Sequence, residues 1–222
     1  MLLNVPMQTT KTINVLIADD HAIVREGLKQ ILADTDDIVV AGDAQNGQEA
    51  VQLVRKKTEA HVLLLDISMP DRSGLEVLKQ VKKEKPGIAV LMLSMHREDQ
   101  YALRSLKAGA SGYLNKQSAP AELVIAIRMV AAGKKYITLE LAQTLANQLD
   151  EDQEIPPHET LSDREYQTLT LIASGKTVSD IAAELILSVK TISMYRSRLL
   201  QKMKLKNNAE LTHYAIKNQL VE

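Results

Sequence analysis

At 222 residues, with 45% apolar and 25% charged residues, the chain has an ordinary globular composition and room for one or two domains. It has no cysteine, which excludes a disulfide scaffold, a thiol nucleophile and any zinc site with a cysteine ligand. It has no Phe or Trp, which argues against an aromatic platform for single-stranded nucleic acid. The net charge is −1 but unevenly spread: residues 1–155 carry 18 Lys/Arg against 21 Asp/Glu, and residues 156–222 carry 9 against 7. In chain order, NVLIA (14–18) precedes a helical pattern from Ala22 to Ala33, and IVVAG (38–42) one from Gly47 to Lys57. HVLLLDI (61–67) precedes Gly74 to Lys83, IAVLMLS (88–94) precedes Arg97 to Lys107, and SGYL (111–114) precedes Ala119 to Ala132. Five strand-like runs, each followed by a helix, predict an α/β unit: a doubly wound five-stranded parallel sheet over residues 12–135. The near-continuous apolar runs 61–67 and 88–94 read as strands buried on both faces.

Residues 136–157 read as a linker. Leu139 to Leu149 suits a short helix, and Asp150-Glu-Asp-Gln-Glu154 followed by Pro156-Pro157 suits an exposed, non-helical run. Residues 158–222 are predicted to be a small all-α domain. Ser162 opens a helix with Glu165 in capping-box spacing, and Gly175 ends it. Val178 to Leu185, Ser188 to Met203 and Asn208 to Asn218 follow, with Asn208 as the cap of the last. In that last helix Leu211, Tyr214 and Ala215 share one side, which either packs in the core or meets a second copy.

In an open parallel sheet, ligands bind beyond the carboxyl ends of the strands. The first strand ends in Asp19-Asp20, the third in Asp66, the fourth in Ser94, and the fifth leads to Lys116. Three carboxylates on one edge repel unless a cation neutralises them, and Mg²⁺ prefers a few carboxylates plus other oxygens. An aspartate can also attack a phosphoryl group, and the resulting anhydride needs positive and hydrogen-bonding neighbours.

This set, Asp19-Asp20, Asp66-Ile-Ser-Met-Pro70 with Gly74, Ser94 and Lys116, resembles the flavodoxin-like receiver domain of two-component response regulators. The resemblance implies phosphorylation of Asp66 by a sensor histidine kinase. It implies Mg²⁺ held by Asp20 and Asp66, with Asp19 and the Ser68 carbonyl contributing, and Lys116 and Ser94 on the phosphoryl group. Tyr113 matches the aromatic switch position, where a half-buried strand tyrosine is the plainer reading. Ser68 and His96 match positions that tune phosphoryl lifetime, and Gln117 stands where many receivers carry proline.

The stretch Lys190 to Lys206 holds six basic residues and no acid. On a helical wheel, Ile192, Leu199 and Met203 share one side with Tyr195 near it, while Lys190, Met194, Ser197 and Gln201 lie opposite, flanked by Ser193 and Arg198. That division suits a helix in the DNA major groove, and the preceding helix with its short turn gives helix-turn-helix spacing. Lys190, Ser193, Met194, Ser197 and Arg198 are the expected groove residues. Thr191, Arg196 and Lys202 are the expected phosphate contacts. Leu161-Ser-Asp-Arg-Glu165, Ala173-Ser-Gly-Lys176, Ile181-Ala182 and Leu187-Ser-Val-Lys-Thr-Ile192 resemble the LuxR-type helix-turn-helix. Many members carry Lys at the position of Ser193 and His at that of Tyr195.

Receiver and helix-turn-helix together resemble the NarL/FixJ subclass of response regulators. This implies a DNA-binding transcriptional regulator in which phosphorylation of Asp66 promotes a homodimer on double-stranded DNA. A protein-binding scaffold without DNA binding is the alternative. Enzymatic turnover beyond self-phosphorylation and slow autodephosphorylation is not expected: a haloacid-dehalogenase phosphatase needs a second acid where Ser68 stands. There is no GxGxxG or Walker sequence for a nucleotide. No stretch reaches 18 uncharged residues, so no membrane contact is expected. The start, MLLNVPMQTTK, lacks the regions of a secretion signal, so a cytoplasmic location is expected.

Overall fold

A computed structural model describes residues 12–94, 99–118, 120–139, 141–143, 156–218 and 220–221. Up to Ala131 the described residues alternate strand and helix: β1 (Ile13–Ala18), α1 (Ala22–Ala33), β2 (Ile38–Ala44), α2 (Gly47–Lys56), β3 (Val62–Asp66), α3 (Gly74–Glu84), β4 (Ala89–Ser94), α4 (Asp99–Lys107), β5 (Gly112–Asn115) and α5 (Pro120–Ala131). The five strands are parallel in the order β2-β1-β3-β4-β5. The predicted doubly wound sheet is therefore present, with its change of direction between β1 and β3.

Strand alternation sorts the core into two layers. Val15, Ile17, Val62, Leu64, Leu91 and Leu93 face one way, onto Leu32 of α1 and Leu123, Ala126 and Ile127 of α5. Leu16, Leu63, Leu65, Val90 and Met92 face the other way, onto α2, α3 and Tyr101 and Ala102 of α4. Strand β2 runs to Ala44 rather than Gly42, because its pairing with β1 continues past an irregularity at Val15/Leu16. The predicted first residues of α4 and α5, Arg97 and Ala119, lie outside the described residues, as do His96 and the acidic run 150–154. Leu139 and residues 141–143 are helical, within the short helix expected there.

The second unit is all helix: a 3₁₀ turn (Pro157–Thr160), α6 (Asp163–Ala173), α7 (Val178–Glu184), α8 (Val189–Met203) and α9 (Asn208–Lys217). Its core joins Leu169, Ile172, Ile181, Ile192, Leu199, Leu211 and Ala215. Leu211 and Ala215 are wholly buried, so the core reading of their side of α9 holds. The cap of α9 is Asn207, not Asn208: its side chain accepts from the Glu210 amide, three residues on, while Asn208 Oδ1 accepts from Arg196. Ser162 and Glu165 form the expected capping box on α6.

Candidate functional site: an acidic pocket and an exposed basic helix

Strands β1 and β3 are neighbours, so their carboxyl ends deliver Asp19 and Asp66 side by side at the change of direction in the sheet. Both residues are buried, as is Ser94 at the end of β4. Ser94 pairs with Asn115 of β5, and its carbonyl accepts from the Lys116 amide at 2.8 Å. This anchors Lys116 beside the acids: its Nζ lies 2.6 Å from Asp19 Oδ2 and 2.9 Å from Asp66 Oδ2. All five residues expected at the strand ends of β1, β3, β4 and β5, Asp20 among them, therefore occupy the same edge.

Gly74 has a steric reason. A Cβ there would sit 2.0 Å from the Asp66 carbonyl oxygen, and the Gly74 amide donates to Ile67 O at 2.8 Å. Only glycine lets the start of α3 approach the strand that carries Asp66. Gln117 uses the hydrogen that a proline would lack, donating its amide to Asn115 Oδ1 at 2.8 Å.

Asp19, Asp20, His21 and Asp66 bring one ligand atom each within 4.8 Å of one another. Burial pushes the Asp66 carboxyl up to about 6; Lys116 opposes this, Asp19 adds to it, and the Ser68 amide opposes it. Burial works to lower the Lys116 pKa, but the two carboxylates outweigh it and the net shift is upward. One ammonium faces three carboxylates. Among the described residues, Asp20 Oδ1 and the Oδ2 atoms of Asp19 and Asp66 are buried without an aligned hydrogen-bond donor. This donor set fits a hard divalent cation.

His21 was missed by sequence reasoning. Its Nδ1 lies 2.9 Å from Asp20 Oδ1 and 3.4 Å from Asp19 Oδ1, and its amide donates to Asp19 Oδ1. The only signal was its place directly after the two aspartates. Tyr113 is fully buried, among Met92, Tyr101 and Ala102, rather than half-buried as the plainer reading of a strand tyrosine expected. The step from a strand edge to full burial follows from α4 covering that face.

The helix-turn-helix carries the second set. Ile192, Leu199 and Met203 are buried, and Lys190, Ser193, Met194, Ser197 and Arg198 are exposed, as the wheel requires. Ser188 caps α8 by accepting from the Thr191 amide, and its Oγ lies 2.8 Å from Thr191 Oγ1. Two expected phosphate contacts have other duties. Arg196 Nε donates to Asn208 Oδ1 at 2.6 Å, and Lys202 Nζ pairs with the buried Glu165 at 2.6 Å. Both lie toward the side of α8 that faces the rest of its domain, which a wheel of one helix cannot show.

With this geometry in place, comparison with known proteins is direct. The family "Response regulator receiver domain" matches residues 15–128, and "Bacterial regulatory proteins, luxR family" matches residues 159–215. The response regulator UvrY of Escherichia coli K12 is 39% identical over 209 residues, 94% of this chain and 95% of that protein. RcsB from Salmonella enterica serovar Typhimurium, bound to promoter rprA in the presence of the phosphomimetic BeF3−, is 27% identical over 92% of this chain and 98% of that one, with a TM-score of 0.62. A structure of two RcsB dimers bound to two parallel DNAs is 29% identical over 92% and 98%, with a TM-score of 0.57. The chain belongs to the two-component response regulators of the NarL/FixJ type, transcription regulators that join a receiver domain to a LuxR-type DNA-binding domain.

Proposed function

We propose that Asp66 accepts a phosphoryl group from a sensor histidine kinase, and that this switches a homodimer on double-stranded DNA. The observation that carries the reading is the Asp66–Lys116–Asp19 cluster at the sheet edge, on the same chain as an exposed basic face on α8. A carboxylate oxygen of Asp66 attacks phosphorus, a P–O bond forms, and the P–N bond to the donor histidine breaks. The imidazole leaves with its electron pair and takes up a proton. Lys116 is placed to pair with a phosphoryl oxygen, and Ser94 to donate its hydroxyl. Asp19, Asp20 and Asp66, with the Ser68 carbonyl, would hold Mg²⁺. When bound, the ion supplies positive charge to the carboxylates and to the phosphoryl oxygens. Water attack on phosphorus returns Asp66 and inorganic phosphate. No further turnover is proposed, since Ser68 cannot act as a second acid.

DNA binding rests on the α8 face, and the dimer on what one module lacks. A single recognition helix reads few base pairs, and joining two copies gains about 10²–10⁴ in avidity. The RcsB relative, seen as dimers on DNA and with a phosphomimetic, supports both steps. Among the described residues no helix is long and apolar enough to cross a membrane; a cytoplasmic location is part of the proposal. The test is phosphorylation by acetyl phosphate with Mg²⁺, followed by selection of bound sites from random DNA. Asp66→Asn must lose the label, and the phosphorylated protein must select paired half-sites. Label retained by the Asn variant overturns the phosphoacceptor, and selection of no sequence overturns the DNA reading.

A further inference from the structure

The two aspartates that follow β1 share a peptide bond, and that peptide is pinned from outside the pocket. The Asp19 amide donates to Ala44 O of β2 at 3.2 Å, and Asp19 Oδ1 accepts from the His21 amide at 2.8 Å. The Asp19 carbonyl accepts from Arg25 Nη1 at 2.8 Å. Arg25 stands near the start of α1, where its amide donates to His21 O at 3.1 Å. Its side chain therefore folds back over the beginning of its own helix to reach the strand end. A second group holds it there. Arg25 Nε donates to Asp43 Oδ2 at 3.1 Å, and Asp43 stands next to Ala44 at the end of β2. Lys29, one turn further along α1, lies 3.0 Å from Asp43 Oδ1 and 2.8 Å from Glu26. The Arg25 side chain is only 13% exposed, so its planar fork is fixed between carboxylate and carbonyl.

The consequence is geometric. Both carboxylates hang from the peptide between Asp19 and Asp20. Turning its plane, through ψ of Asp19 and φ of Asp20, swings one carboxylate relative to the other and breaks the bond to Arg25. A metal ion binds in proportion to how well its ligand oxygens are aligned beforehand, and outer hydrogen bonds that fix a ligand are worth about 10–100-fold in affinity. Charge works the other way: a guanidinium beside the acidic turn weakens the attraction of the turn for a second cation. The two effects have opposite signs, so position and charge can be told apart.

We propose that Arg25 is a positioning residue for the divalent ion: anchored by Asp43, it locks the Asp19–Asp20 peptide so that the two carboxylates meet the ion already aligned. The proposal rests on the reading of Asp19, Asp20 and Asp66 as the ion's ligands. It extends the site outward from the pocket to the end of β2, an edge strand that supplies no ligand of its own.

Mn²⁺, which also prefers carboxylate oxygens, is the probe. Electron paramagnetic resonance reads the free ion as the full-length chain is titrated without phosphodonor. Arg25→Ala must raise the Kd for Mn²⁺ by about tenfold or more, while the number of ions bound per chain stays at the wild-type value. A variant that had merely lost folded protein would bind fewer ions at an unchanged Kd. Asp43→Asn keeps Arg25 but weakens its anchor. It must raise the Kd by a smaller factor, and it decides the matter if Arg25→Ala does not fold. Lys29→Ala removes a neighbouring cation from Asp43 but no bond to Asp19, and must leave the Kd within about twofold, since no outer bond to a ligand is lost. With acetyl phosphate, the Mg²⁺ concentration for half-maximal labelling of Asp66 must rise in Arg25→Ala as the Kd does, with the rate at saturating Mg²⁺ held. A Kd unchanged in Asp43→Asn or in folded Arg25→Ala overturns the positioning role. A Kd lowered in Arg25→Ala overturns it in favour of charge, and an equal rise in Lys29→Ala overturns it in favour of general stability. If wild type binds no Mn²⁺, the reading of the pocket as a metal site fails and the proposal fails with it. If wild type binds Mn²⁺ but takes no label, only the phosphoacceptor reading fails, and the Kd values still decide the role of Arg25.

Discussion

Lys202 and Glu165 form an ion pair of 2.6 Å that ties α8 to the first turn of α6. Glu165 is buried and also closes the Ser162 capping box. Burial pushes its carboxyl upward, but Lys202 and the Ser162 amide outweigh that and leave it below the ordinary range. Lys202 is therefore a strut of the helical domain before it is a phosphate contact. Lys202→Ala is expected to destabilise the domain by about 1 kcal/mol, since the lysine end is partly exposed. It should leave the salt dependence of DNA binding nearly unchanged. Lys190→Ala, on the exposed face, should lower the log–log salt slope by about 0.9 with little effect on stability. Salt titrations and denaturant melts of both variants separate the two roles.

A second expectation concerns the acidic pocket. Three carboxylates against one ammonium destabilise the apo fold, and a divalent cation that binds only the folded state raises stability by mass action, by about 2.7 kcal/mol at a hundred times its Kd. Mg²⁺ should raise the melting temperature of the wild-type chain, and EDTA should reverse the rise. In Asp20→Asn the rise should shrink markedly, and the variant without Mg²⁺ should melt no lower than wild type. An equal Mg²⁺ response in both would remove Asp20 from the ion's ligands.

These outcomes bear on how much of the molecule its sequence disclosed. Asp19, Asp20, Asp66, Ser94 and Lys116 were legible because a parallel sheet sends every strand's carboxyl end to the same edge, so residues from four strand ends far apart in sequence have one destination. The wheel of α8 was legible because burial on one helix has one period. What it could not show was which neighbour stands beside the helix, and so the duties of Arg196 and Lys202 were hidden in Asn208 and Glu165. The contact between α4 and the helical domain was hidden for a similar reason. Tyr101, Arg104 and Lys107 form a stripe on α4 that looks like any solvated face, and only the packing of α6 gives it a partner. Asn207 was passed over as a cap because two asparagines stand in a row, and the choice between them falls to Glu210.

His158, between Arg104 of α4 and Tyr214 of α9, sets a pH limit. It is buried, its Nδ1 is 2.8 Å from the Tyr214 hydroxyl, and Arg104 of α4 and Glu159 face it. Burial and, after it, the charge of Arg104 lower its pKa from 6.5 to about 4, with Glu159 partly opposing. The unfolded chain takes a proton on this residue below about 6.5, which the folded chain refuses until about 4. Stability is therefore intact above 6.5 and falls as the pH drops toward 4, by up to about 3 kcal/mol. Unfolding measured between pH 7 and 4 should show this loss in wild type. In His158→Gln the loss should be smaller, and the gap between the two curves should stop changing below about pH 4.

The turn between α7 and α8 stores strain that a single substitution should release. Ile186 has φ 51°, in the left-handed region, with 74% of its surface exposed. Its amide donates to Ala183 O and the Leu187 amide to Ala182 O at 2.9 Å, which is the paired bonding of a Schellman helix end. The residue at this position is usually glycine, because a Cβ in the left-handed region meets the following carbonyl, and a β-branched side chain meets it worst. The cost is roughly 1–2 kcal/mol, and glycine gives some of that back as chain entropy in the unfolded state. Ile186→Gly should therefore raise stability by about 1 kcal/mol, read as a higher denaturant midpoint with an unchanged slope. Little burial is lost, since the side chain already faces solvent. Lys204, at φ 55° after α8, provides the comparison: it is unbranched at Cβ, so Lys204→Gly should gain less. If Ile186→Gly is neutral or destabilising while Lys204→Gly gains, the exposed isoleucine is held by a contact stronger than the strain it bears.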